Sequence, residues 1–162
     1  MTKLLTALAV AGAALLLAAS ALAAAPRYIM VSGPGLSRPV LFDVWNENLA
    51  LYVAIAEAPR ATRSAAASVR RRPRLRLSLF WGWPEGQLPT RPSQGNQTGW
   101  FYPACRARRA LVDLKVNGER VLRLAPKEVL DTFTAHGIPI RRTCPVRSPR
   151  TPSRGVTTPV DA

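Results

Sequence analysis

Alternation of apolar and polar residues near the middle of the chain constrains the fold more than any other feature. Apolar side chains stand at every second position from Leu75 to Trp81, and arginine, serine and phenylalanine fill the positions between them. A period of two residues places successive side chains on opposite faces of a strand. The segment therefore predicts a half-buried strand, which requires a sheet with one covered face.

Three further stretches are rich in β-forming residues. Arg27–Ser32 and Pro39–Val44 flank the turn signal Gly33–Leu36, which predicts an opening β-hairpin. Trp100–Tyr102 begins another strand, which ends at Pro103. We therefore expect a sheet with strands on both sides of the alternating segment.

Asn117-Gly118 lies between two more β-rich stretches and is a strong signal for a tight hairpin. A two-residue turn would place Val112 opposite Arg123, whereas a three-residue loop would place Val112 opposite Leu122. We expect the three-residue loop, because it keeps apolar side chains together on one face of the hairpin and pairs Lys115 with the opposite charge of Glu119.

Two segments have helical spacing. The first runs from Asn46, a candidate N-cap, to Ala58, and Pro59 ends it; the second opens at Pro126 and stops at Gly137. The expected inner face of the first helix consists of Leu49, Val53 and Ala56, broadened by Leu51, Tyr52 and Ile55. The order of elements predicts an α+β fold, with an antiparallel or mixed β-sheet and two helices.

Three segments show neither the two-residue period of a strand nor the spacing of a helix. Residues 60–72 are expected to form a mobile linker, and residues 82–99 a long, polar surface loop flanked by aromatic residues. Residues 145–162 are rich in proline, arginine, serine and threonine, which predicts a disordered tail. We therefore expect a single folded domain over residues 26–144.

The first 23 residues have the three parts of a secretory signal peptide. Lys3 supplies a positive charge, a run of leucine and alanine follows, and Ala21-Leu22-Ala23 resembles a cleavage site. The alternative is an N-terminal membrane anchor, since the apolar run from Leu4 to Ala25 is long enough to cross a bilayer. Both readings place the domain outside the cytoplasm, either secreted or held at the outer surface of the membrane.

Positive charge dominates the composition. The chain holds 23 lysine and arginine residues against 9 aspartate and glutamate residues, a formal net charge of +14. Such a charge attracts polyanions, so anionic cell-envelope polymers and membrane surfaces are the expected partners, and nucleic acid is an unlikely physiological one. The alternative is a genome that favours arginine codons, which would explain arginine over lysine but not the scarcity of acids. The candidate binding residues are Arg70, Arg71, Arg72, Arg74, Arg76, Arg106, Arg108 and Arg109.

Aromatic residues flank the polar loop on both sides. Trp81 and Trp83 are expected to share one face of a strand, and Trp83, Trp100 and Tyr102 are candidates for stacking on a sugar. This pattern supports an alternative function, recognition of a glycan or of another extracytoplasmic protein. A small aromatic core beneath the loop would explain the same residues without any ligand.

Cys105 and Cys144 are the only cysteines, and in an exported chain a pair predicts a disulfide bond worth about 3–4 kcal/mol. A nucleophilic Cys105 with His136 as its base has no supporting motif, and His136 fits a helix C-terminus better. One histidine and two cysteines are too few for a zinc site. We expect a non-enzymatic domain with no metal and no cofactor.

The chain resembles small exported bacterial proteins of unknown function in three segments: the leader, Tyr28–Leu36 and Phe101–Ala104. The resemblance covers residues 27–140. It implies export and a single small domain, and it implies no activity and no site residue.

Overall fold

The computed structural model describes residues 25–105 and 108–143, without the side chain of Arg71. The predicted leader, Arg106, Cys144 and the predicted tail over residues 145–162 lie outside the described residues. The interpretations that concern them therefore stay predictions.

Six strands form one antiparallel sheet in the order β2-β1-β3-β4-β5-β6. The strands are β1 (Tyr28–Ser32), β2 (Val40–Phe42), β3 (Leu75–Phe80), β4 (Gln97–Tyr102), β5 (Leu111–Val116) and β6 (Glu119–Leu124). The helices are α1 (Trp45–Glu57), α2 (Arg63–Ser68) and α3 (Lys127–Ala135). The α+β fold and the opening hairpin are confirmed; α2 is a third helix that the sequence did not predict.

Helices α1 and α3 cover one face of the sheet and form the main core with it. Phe133 of α3 packs against Phe101 of β4 and Phe42 of β2, with ring centroids 4.9 and 5.9 Å apart. Each strand contributes alternate residues to this face, as the leucines of β3 do. We call the opposite side of the sheet the second face.

Helix α1 is rotated and shifted relative to its prediction. It begins at Trp45, with Val44 rather than Asn46 at the N-cap. Leu51, Tyr52 and Ile55 are buried as predicted, whereas Val53 is 37% exposed. The cause is the fully buried amide of Asn48, whose Nδ2 donates to the carbonyls of Arg27 (2.8 Å) and Phe42 (3.0 Å). These two hydrogen bonds turn the Asn48 side of the helix toward the sheet.

The hairpin between β5 and β6 has the two-residue turn, so the prediction of a three-residue loop is wrong. Val112 lies opposite Arg123, and both turn residues have positive φ, 50° at Asn117 and 85° at Gly118. Such a turn matches the right-handed twist of the strands.

This register places Lys115 opposite Arg120, two like charges. Arg120 instead reaches diagonally to Asp113, with nitrogen–oxygen distances of 2.9 and 3.0 Å. The diagonal ion pair removes the electrostatic objection to the two-residue turn.

The second half of β3, from Leu77 to Phe80, is buried on both faces, whereas the whole strand was predicted to be half-buried. Ser78 and Phe80 are fully buried because the β3–β4 loop (residues 81–96) folds back over the second face. Gly95 touches the sheet so closely that a Cβ there would lie 3.0 Å from the Cβ of Ser78. Asn96 fastens the loop by exchanging two hydrogen bonds with the backbone of Trp81.

The predicted mobile linker is also structured. Pro59 and Ala61 pair with the outer edge of β6 through two backbone hydrogen bonds, Ala61 N to Leu122 O (2.9 Å) and Leu124 N to Pro59 O (3.0 Å). Helix α2 follows, and a 3₁₀ turn over Val69–Arg71 leads the chain back to β3. The segment thus crosses from one edge of the sheet to its centre over the second face.

Replacement of Asn48 by alanine should destabilise the fold by about 1–3 kcal/mol, because two buried carbonyls lose their donor. Urea unfolding of Asn48→Ala and of the wild type measures the difference. Asn46→Ala is the matched control, since Asn46 is exposed on the same helix and its side chain makes no hydrogen bond among the described residues. Equal losses in the two variants would contradict this account of α1.

Candidate anion-binding groove

A groove with a volume of about 530 Å³ lies between α2 and the end of the second face formed by β5 and β6. Its floor is apolar, one wall carries hydroxyl groups and the other carries guanidinium groups. The lining residues are Thr62, Ser64, Ala65, Ser68, Arg72, Arg108, Arg109, Leu111 and Leu124, none of which is acidic.

The path of the chain builds this groove. Leu111 and Leu124 are directly opposed in the β5–β6 register and form the floor. Because the segment before α2 pairs with the edge of β6, the helix begins at the rim of the sheet. Thr62 starts α2 as its N-cap, accepting a hydrogen bond from the backbone N–H of Ala65 (3.3 Å).

Arg72 is the central residue of the arginine wall. Only 7% of its surface is exposed, and its guanidinium donates to the carbonyls of Pro103 (2.6 Å) and Arg109 (2.8 Å). Its Nε has no hydrogen-bond partner, and no carboxylate of the described residues forms an ion pair with Arg72. Burial lowers the pKa of this guanidinium, and the charge of Arg108 lowers that pKa further.

Arg108 and Arg109 complete the wall from the chain segment that precedes β5. Two backbone hydrogen bonds, 3.0 and 3.1 Å long, join Cys105 to Arg108. Both arginines are exposed, and neither forms an ion pair within the described part of the chain. Three guanidinium groups therefore converge on the groove without a carboxylate among its lining residues.

The hydroxyl wall was not predicted from the sequence. Thr62 Oγ1 lies 3.0 Å from Ser64 Oγ, and Ser68 Oγ donates to the carbonyl of Ala65 (2.7 Å). The available signal was a threonine immediately before Arg63-Ser64 and a run of three alanines, which is an N-cap followed by good helix formers. Because Ser68 already donates its proton, this wall adds one neutral donor, from Thr62 or Ser64, to the guanidinium groups across the groove.

Two other predicted arginines lie beside the groove on the second face. The guanidinium carbon of Arg74 stands 3.9 Å above the ring centroid of Trp100, and Arg76 donates to Thr98 Oγ1 (3.2 Å). Arg70 is exposed in the 3₁₀ turn, Arg71 has no described side chain, and Arg106 lies outside the described residues. The structure thus brings Arg72, Arg108 and Arg109 together and sets Arg74 and Arg76 next to them.

The aromatic residues do not form the expected common surface. Trp81 packs edge-on against Tyr52 in the main core, whereas Trp83 packs edge-on against Phe80 on the second face. Their predicted shared face is wrong, because β3 ends at Phe80 and Gly82 has a left-handed φ of 59°. Tyr102 is 4% exposed, so its ring cannot stack on an external ligand as proposed from the sequence.

The remaining candidates contribute no further site. His136 is the C-cap of α3, as predicted, and its Nε2 lies 3.0 Å from Glu47 Oε1. Cys105 is buried, and its pairing with Cys144 stays a prediction because Cys144 is not described. Among the described residues, no cluster of three histidine, cysteine or acidic side chains is placed to hold a metal, and no helix is long and apolar enough to span a bilayer.

Comparison with known proteins found no family model, no curated protein and no solved structure that matches this chain. The resemblance to small exported proteins therefore stays a prediction, and the groove is interpreted from its own geometry.

Inorganic phosphate should raise the melting temperature more than chloride does at equal ionic strength. An anion in the groove would offset the buried charge of Arg72, and linkage adds about 2.7 kcal/mol of stability when the ligand is 100-fold above its Kd. Thermal unfolding followed by circular dichroism measures the shift.

Phosphate also stabilises proteins through exclusion from their surface, so the experiment needs a matched control. Arg108→Ala/Arg109→Ala should lose the phosphate-specific shift, whereas Arg38→Ala/Arg91→Ala, which removes two exposed arginines outside the groove, should keep it. The same shift in all three proteins would show that the groove binds no phosphate.

Proposed function

We propose that this protein is an exported, non-catalytic domain that binds anionic cell-envelope polymers in the groove formed by Arg72, Arg108 and Arg109. The observation that carries the proposal is the state of Arg72, a buried charge whose only described partners are backbone carbonyls. Such a charge is stabilised when an anion occupies the adjacent space.

The composition of the groove favours phosphate or a similar oxyanion. Guanidinium groups donate paired hydrogen bonds that match phosphate and carboxylate oxygens, and charge-assisted bonds of this kind are about twice as strong as neutral ones. On the opposite wall Ser68 already donates to Ala65 O and one of Thr62 and Ser64 donates to the other, so one hydroxyl proton of this pair is left for an anion. No lining residue is a histidine, a cysteine or a carboxylate, so the proposal assigns binding rather than reaction to this site.

The distribution of charge supports an extended anionic partner. The described ion pairs use Glu47, Glu85, Asp113, Glu119 and Asp131, none of which lines the groove. The net charge of +14 adds long-range attraction that raises the local concentration of polyanions. The predicted signal peptide would deliver this surface to the compartment where envelope polymers and lipid headgroups are found.

The alternative, a glycan- or protein-binding module that uses the β3–β4 loop, has narrower support. Leu88 in this loop is 58% exposed, which suits a contact with another protein. Trp81 and Trp83, however, are engaged in internal ring contacts. The groove therefore accounts for more of the described features than the loop does.

Binding to a poly(glycerol phosphate) chain should weaken steeply with salt. Removal of two phosphate contacts in Arg108→Ala/Arg109→Ala should lower the magnitude of the slope of log K against log [salt] by about 1.4–1.8, since each contact contributes about 0.7–0.9. Isothermal titration calorimetry over a range of salt concentrations measures both affinity and slope.

The control for lost charge is Arg38→Ala/Arg91→Ala, which carries the same net charge as the groove variant. This control should retain affinity close to that of the wild type. If both double variants weaken binding equally, general charge and not the groove attracts the polymer. If the wild type does not bind even at low salt, the proposed function is wrong.

A further inference from the structure

Three arginines follow one another at two-residue spacing from the groove toward the centre of the sheet. The chain is already extended at Arg72 (ψ 143°), passes through Pro73 and enters β3, so Arg72, Arg74 and Arg76 project to the same side. That side is the second face, because Arg76 lies opposite Trp100 while the leucines of β3 face the main core. Each step along this row is about 7 Å, the length of two strand residues.

The row continues the groove without a gap in the register. Leu111, on the groove floor, is paired with Tyr102, and Asp113, two residues further along β5, is paired with Trp100. The ring of Trp100 and the guanidinium of Arg74 above it therefore begin about 7 Å from the floor of the groove.

Two guanidinium groups of this row lie beyond the groove, that of Arg74 exposed and that of Arg76 half-buried. Arg74 is exposed and makes no ion pair among the described residues, and its stacking on Trp100 fixes the plane of the guanidinium. Arg76 Nη2 donates to Thr98 Oγ1 and its Nε is shielded from solvent, which leaves Nη1 to meet an anion. The one carboxylate facing this row from β5, Asp113, is neutralised by the two bonds from Arg120.

We propose that the ligand is a linear polyol-phosphate polymer that leaves the groove and runs along the row Arg72, Arg74, Arg76, with successive phosphodiesters at successive arginines. This inference rests on the proposed function and specifies its ligand. A regular row of cations selects a polymer with regularly spaced anions over a single anion.

The geometry favours a polyol chain over a nucleic acid. Proteins that bind single-stranded nucleic acid present open aromatic faces on which successive bases stack. Of the two aromatic residues beside this row, Tyr102 is buried, and Arg74 occupies one face of the ring of Trp100. Guanidinium groups that have no open aromatic face beside them bind the phosphates but do not recognise the groups that join the phosphates.

Ligands of increasing chain length test the proposal. The protein is expressed from the full sequence and purified in the form in which it is recovered. Glycerol 3-phosphate and poly(glycerol phosphate) chains of two, four and eight units are titrated by calorimetry. Affinity per chain should rise steeply up to about four units, where groove and row are filled, and only slightly beyond.

Arg74→Ala should weaken the eight-unit chain at least about tenfold, the loss of one hydrogen bond between charged groups, and leave glycerol 3-phosphate unchanged. Arg74→Lys should recover only part of the loss, because lysine restores the charge but not the planar guanidinium. Arg38→Ala, an exposed arginine between β1 and β2, should bind all chains like the wild type.

The outcomes separate this inference from the function on which it rests. If all chain lengths bind equally and Arg108→Ala/Arg109→Ala abolishes their binding, the groove stands and the row is refuted. If none binds, both fail. Equal or tighter binding of single-stranded DNA of the same charge, or of anionic lipid vesicles, would overturn the choice of a polyol-phosphate polymer.

Discussion

The guanidinium of Arg72 holds together the chain segments that form the groove. Its two hydrogen bonds join the residue after β4, Pro103, to the residue before β5, Arg109, and it comes from the turn that follows α2. Both partners of Arg72 are neutral carbonyl groups, so no described carboxylate balances its positive charge. The guanidinium that fixes the path of the chain therefore also leaves an unpaired positive charge beside the groove.

The two faces of the sheet have separate roles. The main core, under α1 and α3, is closed by aromatic contacts and by the buried amide of Asn48. The second face is divided: the β3–β4 loop covers its β1–β3 part, and α2 borders its β5–β6 part. The strip that remains carries Trp100, Arg74 and Arg76, so the uncovered part of the second face consists of strand and not of loop.

The sequence predicts most strands because a buried face imposes its two-residue period directly. It fails where the decisive contact is distant in the chain. The β5–β6 register depends on the diagonal reach of Arg120 to Asp113, which a comparison of directly opposed residues does not include. The rotation of α1 depends on Asn48, a polar residue that hydrophobic spacing alone would assign to solvent.

The candidate site was predictable in part for the same reason. Arginine runs identify a basic surface, and three of the eight candidate arginines line the groove. These arginines converge because Arg72 donates a hydrogen bond to Arg109, 37 residues further along the chain. No local sequence pattern indicates such a distant contact. The hydroxyl wall was hidden in a segment that lacks periodicity, since a six-residue helix is too short to show one.

Arginine side-chain NMR tests the central claim most directly, because it observes the guanidinium groups themselves while an anion is added. The buried Nε–H of Arg72 should give a sharp, slowly exchanging signal, and titration with glycerol 3-phosphate should shift it together with the signals of Arg108 and Arg109. Shifts spread evenly over the exposed arginines, with Arg72 unmoved, would contradict the assignment of the groove as an anion site.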